Sequence, residues 1–254
     1  SSIRQEVRQA GFRGYTWAEP GQPNPWVAPA DASGCYEAGS SAGAFISNIR
    51  QGIWGANDSN PFAGSCIPNA SYAADNDILV VRRLASIPAV TLAAGTLYFQ
   101  TTYERGQVFR GTTPPVFSGS PVPQASFPLQ TYIYYISPFT VSATETPLVP
   151  ALFRVSLGTD GNMARELVAS GIERMQIQYG RLSTARDTQY LNAGAAPLTG
   201  NSFDTTSTAW DDVNSVRIWL LARNTVAEPG YVNTNTYVMG DQSYEVNDGF
   251  RRQL

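Results

Sequence analysis

An α+β fold, one N-terminal helix followed by a run of antiparallel strands, is what this sequence predicts, and three observations carry the prediction. Ile3, Val7 and Ala10 recur at i, i+4 and i+7, the spacing that places side chains on one face of a helix. From Asp77 onward strands dominate, and two of them alternate apolar residues with others at period two, the mark of a strand with one face buried. The alternation is clearest where Val216, Ile218 and Leu220 interleave with Arg217, Trp219 and Leu221, and where Met175, Ile177 and Tyr179 interleave with Gln176 and Gln178. Twenty-two glycines and seventeen prolines are scattered along the chain, as expected where many strands are joined by turns.

The elements follow in order. Ile3, Val7 and Ala10 form the packing face of the first helix, with Arg4, Gln5 and Arg8 elsewhere on its surface, and Gly11 and Gly14 offer places to stop. Residues 15–74 are rich in Pro, Gly, Ser, Asn and Ala and lack sustained periodicity. They read as a long irregular connection with a short helix around Ala44 to Gln51. A structureless stretch of this length is unusual in a compact domain, so further secondary structure is expected within it. Strands are expected at Asp77–Leu84, Thr96–Tyr103, Gln107–Arg110, Gln130–Ile136, Leu152–Leu157, Ile172–Tyr179, Val213–Ala222 and Tyr231–Val238. Gly111–Pro123 and Pro138–Pro150 read as Pro-rich loops and Gly158–Gly161 as a turn. No internal repeat is apparent. Residues 1–254 are therefore expected to form a single domain: the end of a helix at 1–14, an irregular region at 15–74 and a β-rich region at 75–254.

Composition narrows the function more than any motif does. The 254 residues suffice for a substantial core. Seventeen basic residues against twenty acidic ones give a net charge of −3, with no basic stripe of the kind that nucleic-acid binding requires. Every basic residue is arginine, and both lysine and histidine are absent. That removes the usual general base and the commonest transition-metal ligand. No run of eighteen apolar residues is present to span a membrane.

Candidate chemical motifs weaken on inspection. GSSAG at Gly39–Gly43 fits the spacing of a nucleophile elbow with Ser41 at its centre, yet no histidine or lysine exists to take the serine proton. Asp75 with Asp77, and Asp211 with Asp212 beside Trp210, supply carboxylates that a glycosidase needs in pairs. Turn-capping, solvated aspartates are the simpler expectation. The acidic loops at Asp58 and at Asp75 lack the spacing and closing glutamate of an EF-hand. No catalytic residue, cofactor site or metal site is assigned. Arg82 with Arg83 and Arg251 with Arg252 are adjacent pairs, of which a strand turns only one inward, and solvated strand edges are expected for them. Trp17, Trp26, Trp54, Trp210 and Trp219 are read as core or cover rather than as a sugar-binding face. Trp219 lies opposite the Val216/Ile218/Leu220 face and so needs cover from a loop, a second sheet or a partner.

The wording of the late strands is less generic than their periodicity. GIERMQIQYG at Gly171–Gly180, followed by WDDVNSVRIWLLARN at Trp210–Asn224, resembles the PilW family of type IV pilus minor pilins. IRQEVRQAGFRGY near the start, DNDILVVRRL at Asp75–Leu84 and NDGFRRQL at the C-terminus resemble other segments of that family, in the family's order. The resemblance implies a pilin-like layout, a helical spine packed on antiparallel sheet, with a hydrophobic N-terminal helix upstream that anchors the precursor in the inner membrane and later packs into the fibre. It implies a structural role in priming or assembling pili, with no cofactor. The partners would be other minor pilins, the major pilin and a tip adhesin, and the location the periplasm and the extracellular fibre. Cys35 and Cys66 stand too far apart for a local CxxC motif. In an exported protein they form a disulfide and in the cytosol two free thiols; the loop-rich setting and the resemblance favour the disulfide. Two alternatives stay open: a pseudopilin of type II secretion, and a secreted carbohydrate-binding module or two-carboxylate glycosidase.

Overall fold

The computed structural model describes residues 3–16, 34–118, 123–182, 187–204 and 207–254. Within them the chain is β-rich, and its strand pairings are antiparallel. The two α-helices are short: α1 is Ile3–Arg8 and α2 is Ala42–Ser47. The largest sheet has seven strands, β1 (Ile53–Ala56), β2 (Ile78–Leu84), β3 (Leu97–Thr101), β4 (Gly106–Arg110), β5 (Ala125–Ser137), β6 (Ala151–Leu157) and β7 (Met163–Ser170). Thirteen-residue β5 is its spine. The first part of β5 pairs with β3, and later residues pair with β2 and with β6, which β7 follows at the edge.

A second sheet runs in the order β13 (Arg252–Gln253), β10 (Val213–Arg223), β8 (Ile172–Leu182) and β9 (Thr188–Leu191). The hairpin of β11 (Thr236–Met239) and β12 (Gln242–Glu245) forms a third, two-stranded sheet. In the β8–β10 ladder, Val216 faces Tyr179, Ile218 faces Ile177 and Leu220 faces Met175. These pairs turn toward the core, where Met175, Ile177 and Tyr179 are buried and Val216, Ile218 and Leu220 pack from its margin. The period-two reading of both strands holds side chain by side chain.

Trp219 pairs across the ladder with Gln176 on the opposite face. Its cover comes from the hairpin: Gly240, at positive φ in the turn between β11 and β12, lies against the Trp219 ring. The expected strand at Tyr231–Val238 is correspondingly shorter. Residues 231–235 make only the isolated bridge Asn233–Asp248, and regular pairing begins at Thr236. Three asparagines and threonines in a row at Asn233–Asn235 favour side-chain-to-backbone bonds over a ladder, and Asn233 Oδ1 does accept the N–H of Asn235 at 3.0 Å.

The region expected to be irregular, 15–74, contains α2 and β1. Ser41 caps α2, its Oγ accepting the N–H of Ala44 at 3.2 Å, so the serine of the GSSAG motif works as a helix cap. The helix expected around Ala44–Gln51 starts earlier, at Ala42, and ends at Ser47. Cys35 and Cys66 are joined by a disulfide. Cys35, Phe45, Ile46, Phe62 and Ile67 are all buried, so this segment closes over one face of the seven-stranded sheet.

Candidate functional site

With no catalytic constellation to follow, the places where separate elements are locked together carry the functional information. The first is the seat of α1. Ile3, Val7 and Ala10 are partly buried against the core, and Glu6 from the same helix is buried. A carboxylate there has to be paired, because an unpaired buried charge is strongly destabilising. The Nε of Arg83 on β2 meets Glu6 Oε2 at 2.6 Å, and Arg154 Nη1 on β6 lies 4.0 Å from Oε1. Tyr132 of β5 lies beneath both guanidinium groups, 5.8 Å from that of Arg83 and 4.7 Å from that of Arg154. Two strands of the sheet therefore grip one helical carboxylate, with the Tyr132 ring of a third packed against their guanidinium groups. Past the helix, Gly11 donates to Arg82 O at 2.9 Å and Leu84 donates to Phe12 O at 2.9 Å, so the exit from α1 runs alongside β2.

The second lock holds the disulfide-bonded segment. Arg82 faces opposite to Arg83 and is also buried, against the expectation that this pair lies at a solvated edge. Both faces of β2 are covered, so neither alternate position meets solvent. Among the described residues Arg82 has no carboxylate in hydrogen-bond contact; it donates to three backbone carbonyls, Phe45 O at 3.0 Å, Gln51 O at 3.2 Å and Ser202 O at 2.7 Å. Its guanidinium lies 4.4 Å above the Phe45 ring. Burial pushes Arg82 down to about 9, with the Glu37 carboxylate acting in the other direction, so the group stays cationic at neutral pH. Glu37 in turn accepts from both the backbone N–H and the hydroxyl of Ser202. The second arginine pair departs from the same expectation at one position: Arg252 is sequestered against Glu173 and Asp248, while Arg251 pairs with Glu228 at the surface.

The third lock joins the two large sheets. Asn76 and Asp77, immediately before β2, pair with the free edge of β8. Asn76 Oδ1 accepts the Met175 N–H at 2.7 Å, the Asp77 N–H donates to Met175 O at 3.0 Å, and Asp77 Oδ2 accepts the Ile177 N–H at 2.6 Å. Two side chains here take the place of a strand's backbone. Asp77 Oδ1 also accepts the N–H of Asp58 at 3.0 Å. Burial raises the Asp77 carboxyl to about 7 against these two backbone hydrogen bonds, and the neighbouring charges of Asp58 and Asp241 add to the rise. Asp77 is thus neither solvated nor a turn cap, and both its oxygens are engaged.

The remaining candidate residues are placed as follows. Asp58 carries its φ at +48° and accepts from the amides of Gln176 at 3.1 Å and Gln242 at 2.7 Å. Among the described residues, no group of three or more His, Cys, Asp or Glu is placed to hold a metal ion. Asp211 pairs with Arg50 at 3.0 Å and Asp212 with Arg181 at 2.8 Å. Trp210 is buried, its ring edge-on to Tyr179 with centroids 4.9 Å apart, so it offers no stacking face to a sugar. Trp54 is buried beside it, with ring centroids 6.2 Å apart. Trp17 and Trp26 lie outside the described residues. Among the described residues, no helix is long and apolar enough to cross a membrane.

Fold and junctions together define a β-rich scaffold of antiparallel sheets, cross-braced by buried side-chain hydrogen bonds and ion pairs. Residues 133–254 match the family described as Type IV Pilus-assembly protein W. The resemblance to the PilW family is therefore supported over the C-terminal part of the chain, just under half of it. The span includes the late strands β8 and β10 and the closing NDGFRRQL segment, while the two N-terminal blocks lie outside it. No curated protein and no solved structure matches the chain. The match points to a protein related to type IV pilus assembly, working with other pilus proteins and associated with the envelope or the pilus.

Proposed function

We propose that this chain is the globular part of a minor pilin that helps to prime or assemble type IV pili through protein–protein contacts. The observation that carries the reading is the family match over 133–254, which covers the sheet that Asn76 and Asp77 couple to the helix-bearing sheet. In this reading α1 is the end of a longer spine. The Glu6–Arg83 pair fixes the angle at which the two large sheets stand on that spine. Other minor pilins, the major pilin and a tip adhesin are the partners, met by loops and strand edges, and no bond is made or broken.

The test is genetic. Deleting the gene in its own host should reduce surface pili while the major pilin is still made. Full-length protein carrying Arg83→Ala should restore piliation less well than the unaltered protein. Normal piliation in a clean deletion overturns the reading.

A further inference from the structure

We propose that the β11–β12 hairpin is a flap whose tip is released from the β8–β10 sheet as pH rises through neutrality. The inference goes beyond the pilus reading and does not depend on it.

The two ends of the hairpin are held differently. Among the described residues its strands pair only with each other, and a lone two-stranded ribbon is marginal in water. Its base is pinned: Asp248 pairs with Arg252 at 2.6 Å and bridges to Asn233. Arg174 lies 4.4 Å from the centroid of the Tyr244 ring. At the tip, Met239 is buried and Gly240 rests against Trp219 and Gln176. The polar contacts of the tip converge on the loop after β1. Gln242 Nε2 donates to Asp58 Oδ2 at 2.7 Å, and Asn57 Nδ2 links Asp58 Oδ2, at 3.0 Å, to Asp241 Oδ2, at 3.4 Å.

The tip therefore lands where negative charge is crowded. Asp58 also accepts from Gln176, and its own N–H donates to Asp77 Oδ1, so neutral donors hold Asp58, Asp77 and Asp241 together. Among the described residues none of Asp58, Asp75, Asp77 and Asp241 is in an ion pair. Arg174 of β8 donates to the backbone carbonyls of Ala74 and Asp75. The other titratable groups that feel Asp77 are the hydroxyls of Tyr72 and of Tyr179 on β8, both pushed further above their ordinary range by burial and so neutral.

Carboxylates that share a site without a cation cannot all ionise freely. Burial, with the charges of Asp58 and Asp241 added, holds the Asp77 carboxyl up at about 7. Below that pH Asp77 keeps its proton, and the burial of Met239 keeps the tip down. Above it, ionised Asp77 has two routes to relief. Parting β2 from β8 breaks the three hydrogen bonds to Met175 and Ile177. Lifting the tip breaks only the side-chain bonds of Gln242 and Asn57, carries the Asp241 charge away and admits water to the cluster. Asp241 is already exposed, so its departure costs no further solvation. The tip yields first, pivoting on its pinned base, and uncovers Trp219.

Acrylamide quenching of Trp219, read as the difference between the unaltered protein and its Trp219→Phe variant, tests the proposal. Acrylamide is neutral, so the charge of the cluster does not repel it. Between about pH 5.5 and about pH 8.5 the quenching of Trp219 should rise, while the far-ultraviolet dichroism of the sheets stays constant. A one-proton switch lets the open-to-closed ratio climb by up to about tenfold per pH unit above 7. Asp77→Asn should abolish the rise. Asp241→Asn, at an exposed turn position that leaves the β2–β8 junction untouched, should shrink it and so serves if Asp77→Asn fails to fold. Equal quenching of Trp219 at both ends of the range overturns the proposal. So does a rise that survives unchanged in Asp77→Asn or Asp241→Asn, or one that appears only with loss of the sheet signal.

Discussion

β2 and β10 look alike as sequences and differ as structures. ILVVRRL carries two adjacent arginines, yet all seven residues are buried. VNSVRIWLLAR carries more large apolar groups, yet only Leu221 is buried outright. The difference lies in the neighbours. β2 is flanked within its sheet by β1 and β5 and covered on its two faces by α1 and by the disulfide-bonded segment, and each arginine is met by the layer it faces. β10 has the core on one face, a small hairpin over part of the other and, among the described residues, an edge that β13 pairs only at Ala222 and Arg223. Burial is set by the layers packed around a strand and only partly by the strand's own composition. The closed strand anchors the helix, and the open one keeps backbone groups unpaired among the described residues.

Disabling the closed side should have the largest effect. Arg83→Ala removes the guanidinium that meets Glu6 at 2.6 Å, and loss of one partner of a buried pair costs about 3–5 kcal/mol. Chemical denaturation should show that loss without a change in the dependence on denaturant. An Arg83→Lys variant should recover only part of it, because lysine cannot reproduce the guanidinium fork. Replacing Cys35 and Cys66 by serine comes next. Opening a loop with a sequence separation of 31 should cost roughly 3–4 kcal/mol on chain-entropy grounds. The melting temperature of the double variant should fall, and reducing agent should then have no further effect.

The sheet junction gives a smaller, pH-dependent effect. Asp77 has its folded pKa raised to about 7, above its unfolded value. Its contribution is fully present below the unfolded pKa and is lost as pH rises through 7. Stability should therefore fall by roughly 2 kcal/mol between pH 5 and pH 8 from this group alone. Asp77→Asn should flatten that slope, and an unchanged slope would remove Asp77 as its cause. On the open side, Arg217→Ala should shift stability by less than about 1 kcal/mol, because the guanidinium is exposed and packs on Tyr190 at the surface.

Much of this architecture is legible in the chain. Seven of the eight expected strands occur close to where they were expected, and β8 and β10 show why most clearly, because a strand with one buried face writes its environment at period two. The strands that escaped notice lack that signal. β1, β9 and β12 are four residues each, β13 is two residues, and β7 (MARELVAS) is exposed along most of its length and so has no buried face to imprint a pattern. The locks were less legible than the strands. Arg82 was expected at an edge because nothing local announces that carbonyls from residues 45, 51 and 202 converge on it. Asp77 looked like a turn aspartate for the same reason, since its partner β8 lies 100 residues away. The one local hint was the pattern itself: an uninterrupted ILVVRR run with no polar alternation reads as a strand buried on both faces.

Native-state hydrogen exchange on dilute protein tests most directly the claim that one strand is closed and the other open. The amides of β2 should exchange only through global unfolding. Those of residues 214–221 should fall into two alternating classes, slow where they face β8 and orders of magnitude faster where they face the bare edge. Uniform protection along β10, equal to that of β2, would contradict the account.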